Sequence, residues 1–382
     1  MSKDAALAGA AEPAHAPLYV TRPTMPAFAD ILPFLEKIWL TRVLTNYGPL
    51  HEQLEVALAG YLGVEHFSLV SNATLGCLLV LRHLAAEGGE VITTPFSFVA
   101  TTHTIRLSGA EPVFADIDET TLNLDPAAAE RLITPRTRAI MPVHSYGVPC
   151  DLDGLEAVAA RHGLPLIYDA AHAMGARSGA RSLASFGDFA VLSFHATKVF
   201  STIEGGGIVS KTSEAKQALD RLANHGIVDE TTITTVGLNA KMSEVNAAFG
   251  LALLPRLDAH IAARGVAVGR YWEGLRDVAG LRCVCPPERP GQNFYAFPIL
   301  LGPGYPLSRD ALYEKLRARG IFARRYFSPL ISDLPMYRDL PSAGRARLPV
   351  ASAAADRILC LPLFPDIAEA DQRRVIDAIR AP

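Results

Sequence analysis

Residues 189–210 read FAVLSFHATKVFSTIEGGGIVS. An apolar run, Phe189 to Phe194, leads into a short polar turn that holds one lysine, Lys198. The chain then passes through three consecutive glycines, Gly205 to Gly207, into a second apolar run. The pattern predicts a strand over 189–194, a tight excursion, and a return strand, GGIVS, over 206–210. A lysine in so small and hydroxyl-rich a turn is either a surface residue or one that makes a covalent bond.

Upstream, the same alternation of short apolar runs and amphipathic segments continues. HFSLV (66–70), EVITT (90–94), PVFADI (112–117), RAIMPV (138–143) and LPLIYD (164–169) read as strands. LGCLLVLRHLA, FVATTHTIRLSG, AAAERLI and DLDGLEAVAARHG read as the helices between them. The expected architecture is therefore α/β, a mostly parallel seven-stranded sheet between helices. Ligands bind such sheets at the carboxyl ends of the strands, which directs attention to SNAT, PFSF, HSYG, DAAHA and HATK. A long helical pattern from Met242 to about Asp277, interrupted by Pro255, bridges to a smaller C-terminal αβ domain. There Ser308 is placed to cap the helix SRDALYEKLRARG. The expected division is a flexible tail over 1–20, a large domain over 21–255 and a small domain over 256–382.

Composition narrows the function. The 382 residues are 49% hydrophobic, enough for a large core, and carry 36 Lys+Arg against 39 Asp+Glu for a formal net charge of −3. That balance offers no basic stripe for a nucleic-acid backbone. Five scattered cysteines (Cys77, Cys150, Cys283, Cys285, Cys360) show neither a disulfide framework nor a zinc spacing, as expected of reduced thiols in a cytoplasmic protein. No metal site, signal segment or membrane span is expected.

Among the strand ends, Asp169 in IYDAAHAMGA either caps the following turn or serves as a buried carboxylate. Pyridoxal 5′-phosphate needs a lysine for its Schiff base and a carboxylate on its pyridinium nitrogen; Lys198 and Asp169 supply that pair. SNATLGCLL places small residues between a strand and a helix, either as an ordinary turn or as a phosphate cradle of backbone N–H groups. Ser193 would add a hydroxyl there. Phe96 in TPFSFVAT either lies flat on the cofactor ring or belongs to the core.

These residues resemble the DegT/DnrJ/EryC1/StrS family of sugar aminotransferases, which share the fold type I architecture of the aspartate aminotransferase superfamily. The ordered motifs are NYGP (46–49), SNATLG (71–76), TPFSFVATTHTI (94–105), DIDETTLNLDP (116–126), YDAAHAMGA (168–176), SFHATKVF (193–200), EGGG (204–207), GLNAKMSEVNAAFGL (237–251) and FARRYFSPL (322–330).

The resemblance implies that Lys198 and Asp169 are catalytic and that Ala73, Thr74, Phe96, His172 and Ser193 help to bind pyridoxal phosphate. It implies that Asn239 reaches the cofactor phosphate of a neighbouring subunit, hence a homodimer with shared sites. Asn46, Tyr47, Gly48, Lys241 and Tyr326 would border the sugar. Lys241 stands where many relatives carry arginine, and a lysine cannot fork onto a carboxylate. Ile331 stands where many carry histidine.

HATKVF, NAKMSE and FARRYFSPLISD most resemble the branch that aminates dTDP-4-keto-6-deoxyglucose at C4 with L-glutamate. The alternatives are a 3-ketosugar, a UDP- or GDP-linked substrate, or a non-catalytic regulator on the same fold. His195 and Glu204 flank the lysine either as packed neighbours or as participants. Of Arg324 and Arg325, adjacent on a strand, at most one is expected to face the site.

Overall fold

The apolar runs on either side of the lysine turn pair as the pattern predicts. In the computed structural model, which describes residues 16–381, Gly206–Ser210 lies antiparallel to Phe189–Ser193 on one side and to His66–Val70 on the other. Ile167–Asp169 runs parallel to Phe189–Ser193 and completes a four-stranded sheet. A three-stranded parallel sheet, in the order Glu111–Phe114, Glu90–Thr93 and Thr137–Met141, continues it through parallel bridges from Ile140 to Leu166 and from Val143 to Asp169. The regular strand at 164–169 starts only at Ile167, after Pro165, which has no N–H to donate.

The central residues of these strands are mostly apolar because helices cover both faces. Alternate side chains go to opposite layers: Ala190 and Leu192 join one buried cluster with Leu54 and Phe249, while Val191 and Ile208 join another with Leu79 and Leu219. Burying each large aliphatic side chain contributes roughly 1.5–3 kcal/mol. The glycine run has a separate reason. A Cβ on Gly206 would stand 2.7 Å from the amide nitrogen of Ala73 and 2.8 Å from the carbonyl carbon of Asn72, so only glycine lets this strand lie against the SNAT turn.

Two helices, Phe28–Thr41 and Pro49–Leu62, precede the sheet. The second carries ordinary signals, Pro49 in its first turn and Gly63 at φ 66° closing it. The first packs Ile31, Phe34, Leu35 and Ile38 against the core at the spacing of an amphipathic helix, while its Trp39 and Leu40 are exposed. The break at Pro255 falls as expected: Glu244–Leu253 ends, one 3₁₀ turn spans Leu254–Arg256, and Leu257–Leu275 follows.

Beyond it, Leu281–Cys283, Phe297–Leu301 and Ile358–Leu361 form an antiparallel sheet whose core includes Tyr271, Leu312 and Ile379. Ser308 caps its helix by accepting from the Ala311 amide. The tail expected over 1–20 is corrected at its end. Leu18–Tyr19 pairs in parallel with Ile321–Phe322, and Leu18 is buried in the C-terminal core, so apolar burial holds that segment; residues 1–15 lie outside the described residues. A further cluster joins the two parts, packing Phe96, Phe114 and Tyr146 against Phe327, Leu330 and Leu348. Among the described residues no helix is long and apolar enough to cross a membrane, and no cluster of His, Cys, Asp or Glu could hold a metal ion.

Candidate active site

At the carboxyl ends of the strands lies a cavity of about 310 Å³, lined by Lys198, Asp169, Ser193, Thr74, His172 and Tyr326 among others. The strand Phe189–Ser193 delivers Ser193 to its edge, and a turn closed by the Lys198 amide on the His195 carbonyl (2.9 Å) aims the lysine back into it. The Lys198 amine is 3.5 Å from the Tyr295 hydroxyl. Burial pushes its pKa down to about 8, with the Asp169 carboxylate opposing the shift.

Asp169 ends its strand buried. Its Oδ2 accepts from the Thr101 hydroxyl at 2.7 Å and its Oδ1 from the Ala171 amide at 3.1 Å. Burial raises its pKa, while these two hydrogen bonds and the lysine work against the rise. The Thr101 hydroxyl also lies 3.0 Å from that of Ser97. His172 stacks on Tyr295 with ring centroids 4.2 Å apart and planes 10° apart, and its Nδ1 accepts from the Tyr146 amide at 3.3 Å. Burial, then the nearby lysine, holds His172 well below the ordinary histidine range, so the ring is neutral. Asn293 pins the backbone beneath it, donating to the carbonyls of His172 (2.6 Å) and Met174 (3.0 Å).

The SNAT turn opens the helix Ala73–His83. Asn72 caps it by accepting from the Leu75 amide at 2.9 Å, and Ala73 and Thr74 border the cavity. First-turn amides have no carbonyl partner within their own helix, and the dipole there favours an anion. A helix start beside two hydroxyls, a lysine of lowered pKa and a buried carboxylate form the donor set that pyridoxal phosphate requires, so the residues fit that group.

The other expected residues lie in different settings. Phe96 is fully buried and packs edge-on against Tyr146 and Phe327, which makes it core. Phe98, two residues on and 60% exposed, borders the cavity instead. Asn46, Tyr47, Gly48, Asn239 and Lys241 do not line this chain's own cavity. The Tyr47 hydroxyl donates to the Asp220 carbonyl at 2.9 Å, and the Lys241 amine donates to the side-chain oxygens of Asn224 (2.6 Å) and Asn239 (3.0 Å).

Tyr326 is at the cavity. Arg325 turns away to Asp310 (2.8 Å) and over the Tyr313 ring, while Arg324 is exposed. His195 and Glu204 both border the cavity, with Nε2 and Oε1 3.6 Å apart. Tyr295 and Thr101 escaped the sequence reading. Thr101 lies in the TPFSFVATTHTI motif, but no local signal marks Tyr295, which comes from the C-terminal part of the chain.

Comparison with known proteins agrees with this geometry. The chain is 45% identical over 364 residues to the dTDP-4-amino-4,6-dideoxy-D-glucose transaminase of Shigella dysenteriae, covering 95% of this chain and 98% of that one. It superposes on the crystal structure of DesI in the presence of its TDP-sugar product with TM-score 0.91 and 38% identity, covering 97% of this chain and 93% of the other. The structure of NtdA from Bacillus subtilis with bound cofactor PMP matches with TM-score 0.84 and 28% identity, over 92% of this chain and 80% of that one. With a family model also matching residues 29–380, the chain belongs to the DegT/DnrJ/EryC1/StrS aminotransferase family.

Proposed function

We propose that this aminotransferase moves the amino group of L-glutamate to the C4 ketone of dTDP-4-keto-6-deoxy-D-glucose, forming dTDP-4-amino-4,6-dideoxy-D-glucose, with pyridoxal 5′-phosphate as cofactor. The observation that carries the chemistry is the convergence of Lys198 and Asp169 on one cavity beside a helix N-terminus. The choice of sugar is supported by the transaminase to which the chain is 45% identical.

Pyridoxal phosphate, when bound, offers an aldehyde to amines and an electron-poor ring that takes up the electron pair of a broken C–H bond. The residues of this chain do the rest. The first turn at Ala73, the Thr74 hydroxyl and the Ser193 hydroxyl would receive the cofactor's phosphate dianion. Asp169, its carboxylate supported by hydrogen bonds from the Thr101 hydroxyl and the Ala171 amide, would pair with the ring nitrogen. His172, its plane set by Tyr295, and Phe98 border the same cavity and would lie against the ring. Lys198 Nζ, with its pKa near 8, sheds its proton close to neutrality and can take and return the proton of the substrate carbon.

The remaining predicted residues fit a homodimer. Asn46, Tyr47, Gly48, Asn239 and Lys241 lie outside their own cavity, while Phe28, Trp39, Leu40, Leu44 and Val236 expose large apolar side chains. A second copy covering such a surface would receive those residues at its own site. The same reading takes residues 21–255 as the cofactor domain and 256–382 as the smaller domain, in a cytoplasmic enzyme. A panel of dTDP-, UDP- and GDP-linked 3- and 4-ketosugars, scored for glutamate-dependent amine formation, tests it. Preference for any substrate other than the dTDP-linked 4-ketosugar overturns the assignment.

A further inference from the structure

The start of the helix Glu244–Leu253 makes two sets of contacts that the chemistry above leaves unused. Glu244, 1% exposed, turns its carboxylate onto the start of the helix Pro49–Leu62, where Oε2 accepts from the Leu50 amide at 2.9 Å and Oε1 from the His51 amide at 2.8 Å. Pro49 has no N–H, so these are the first amides that this helix leaves without a carbonyl, and a carboxylate at that end is favoured by the dipole. Gly48 makes room for it: a Cβ there would stand 2.7 Å from the Glu244 carboxyl carbon and 2.6 Å from a Val43 methyl.

Two residues further on, the Asn246 amide donates to the carbonyls of Thr202 (2.6 Å) and Glu204 (2.8 Å), in the loop that leads from Lys198 into the glycine run. Ser243 holds Asn246 from its other side, with Oγ 2.5 Å from Asn246 Oδ1.

We infer that Glu244 and Asn246 are positioning residues that form a two-sided bracket, one side fixing the Asn46–Gly48 segment and the other fixing the Lys198–Glu204 loop. This rests on the reading of Asn46–Gly48 as sugar contacts. Neither side chain borders the cavity, so each acts through the backbone it holds. Glu244→Gln replaces one acceptor oxygen by a donor that faces an amide. Asn246→Asp removes the donor to both carbonyls while keeping the shape.

The test uses the holoenzyme for kinetics and the cofactor-free chain for amide hydrogen exchange. Glu244→Gln should raise KM for the nucleotide ketosugar about tenfold, leave kcat and the KM for glutamate within about twofold, and speed exchange in peptides covering 46–52 but not those covering 200–206. Asn246→Asp should do the reverse: faster exchange at 200–206 and a kcat lowered about tenfold with the sugar KM little changed. Equal losses in all parameters, or exchange unchanged in the named peptide, overturn the bracket. Should Glu244→Gln fail to fold, Glu244→Asp, which shortens the reach of the carboxylate to the Leu50 and His51 amides, must give the same split. Wild-type enzyme inactive on every ketosugar would overturn the functional reading alone, because the exchange measurement judges the bracket without substrate or cofactor.

Discussion

Thr101 donates its hydroxyl to Asp169 at 2.7 Å, so a buried carboxylate at the end of one strand is supported by a helix that follows a different strand. A hydrogen bond to a charged group contributes about 1.5–3 kcal/mol. Thr101→Val should therefore raise the Asp169 pKa further and lower kcat about tenfold or more. The lost activity should extend to higher pH on the acid limb of the rate profile, where Asp169 becomes protonated. A profile of unchanged shape in Thr101→Val would contradict this role.

Lys198 should be more reactive than an ordinary lysine. Its amine, held near pKa 8 by burial, is the neutral nucleophile above that pH and is progressively protonated below it. The rate at which cofactor-free protein takes up pyridoxal phosphate should accordingly rise with pH and reach half its plateau near 8, followed by absorbance. Lys198→Ala should fold, lose that absorbance change and fail to turn over.

The two phenylalanines of TPFSF should separate cleanly. Phe96→Ala empties a fully buried site and should cost about 3–5 kcal/mol of stability in a denaturant titration. Phe98→Ala, at an exposed cavity wall, should leave the melting temperature nearly unchanged and weaken cofactor binding several-fold, measured by equilibrium dialysis.

If sites are shared between subunits, two inactive variants should rescue each other. Lys198→Ala damages a chain's own cavity, while Asn239→Ala damages the neighbour's. Unfolding and refolding the two together in equal amounts should restore about a quarter of wild-type activity, because half of the dimers are mixed and each keeps one intact site. No rescue, with both variants dimeric by sedimentation, would show that Asn239 serves its own chain.

Much of the sheet was legible because its signal is local. Continuous apolar runs such as FAVLS and AIM are what a doubly covered strand requires, and the helices between them carry their own caps at Asn72, Asp151 and Thr212. The helices Phe28–Thr41 and Pro49–Leu62 were less legible. On the first, Ile31, Phe34, Leu35 and Ile38 face the core with helical period, but the exposed apolar Trp39 and Leu40 and the internal Pro33 blur that stripe in the sequence.

Residue chemistry determined the rest of what the sequence alone could establish. A lysine, a carboxylate and a small-residue turn at strand ends point to one candidate site, and Lys198, Asp169, Ala73 and Thr74 do share one cavity, because the topology brings strand ends together. Only the tertiary structure decided which neighbours face that site. Phe98 rather than Phe96 borders it because the chain leaves the strand before this motif, and side-chain direction there no longer alternates.

Tyr295 meets His172 and Lys198 across a gap of about a hundred residues, and Glu244 meets Leu50 across nearly two hundred. Such contacts carry no local period. They arise when packed elements bring distant backbone together, and no spacing within a segment encodes them.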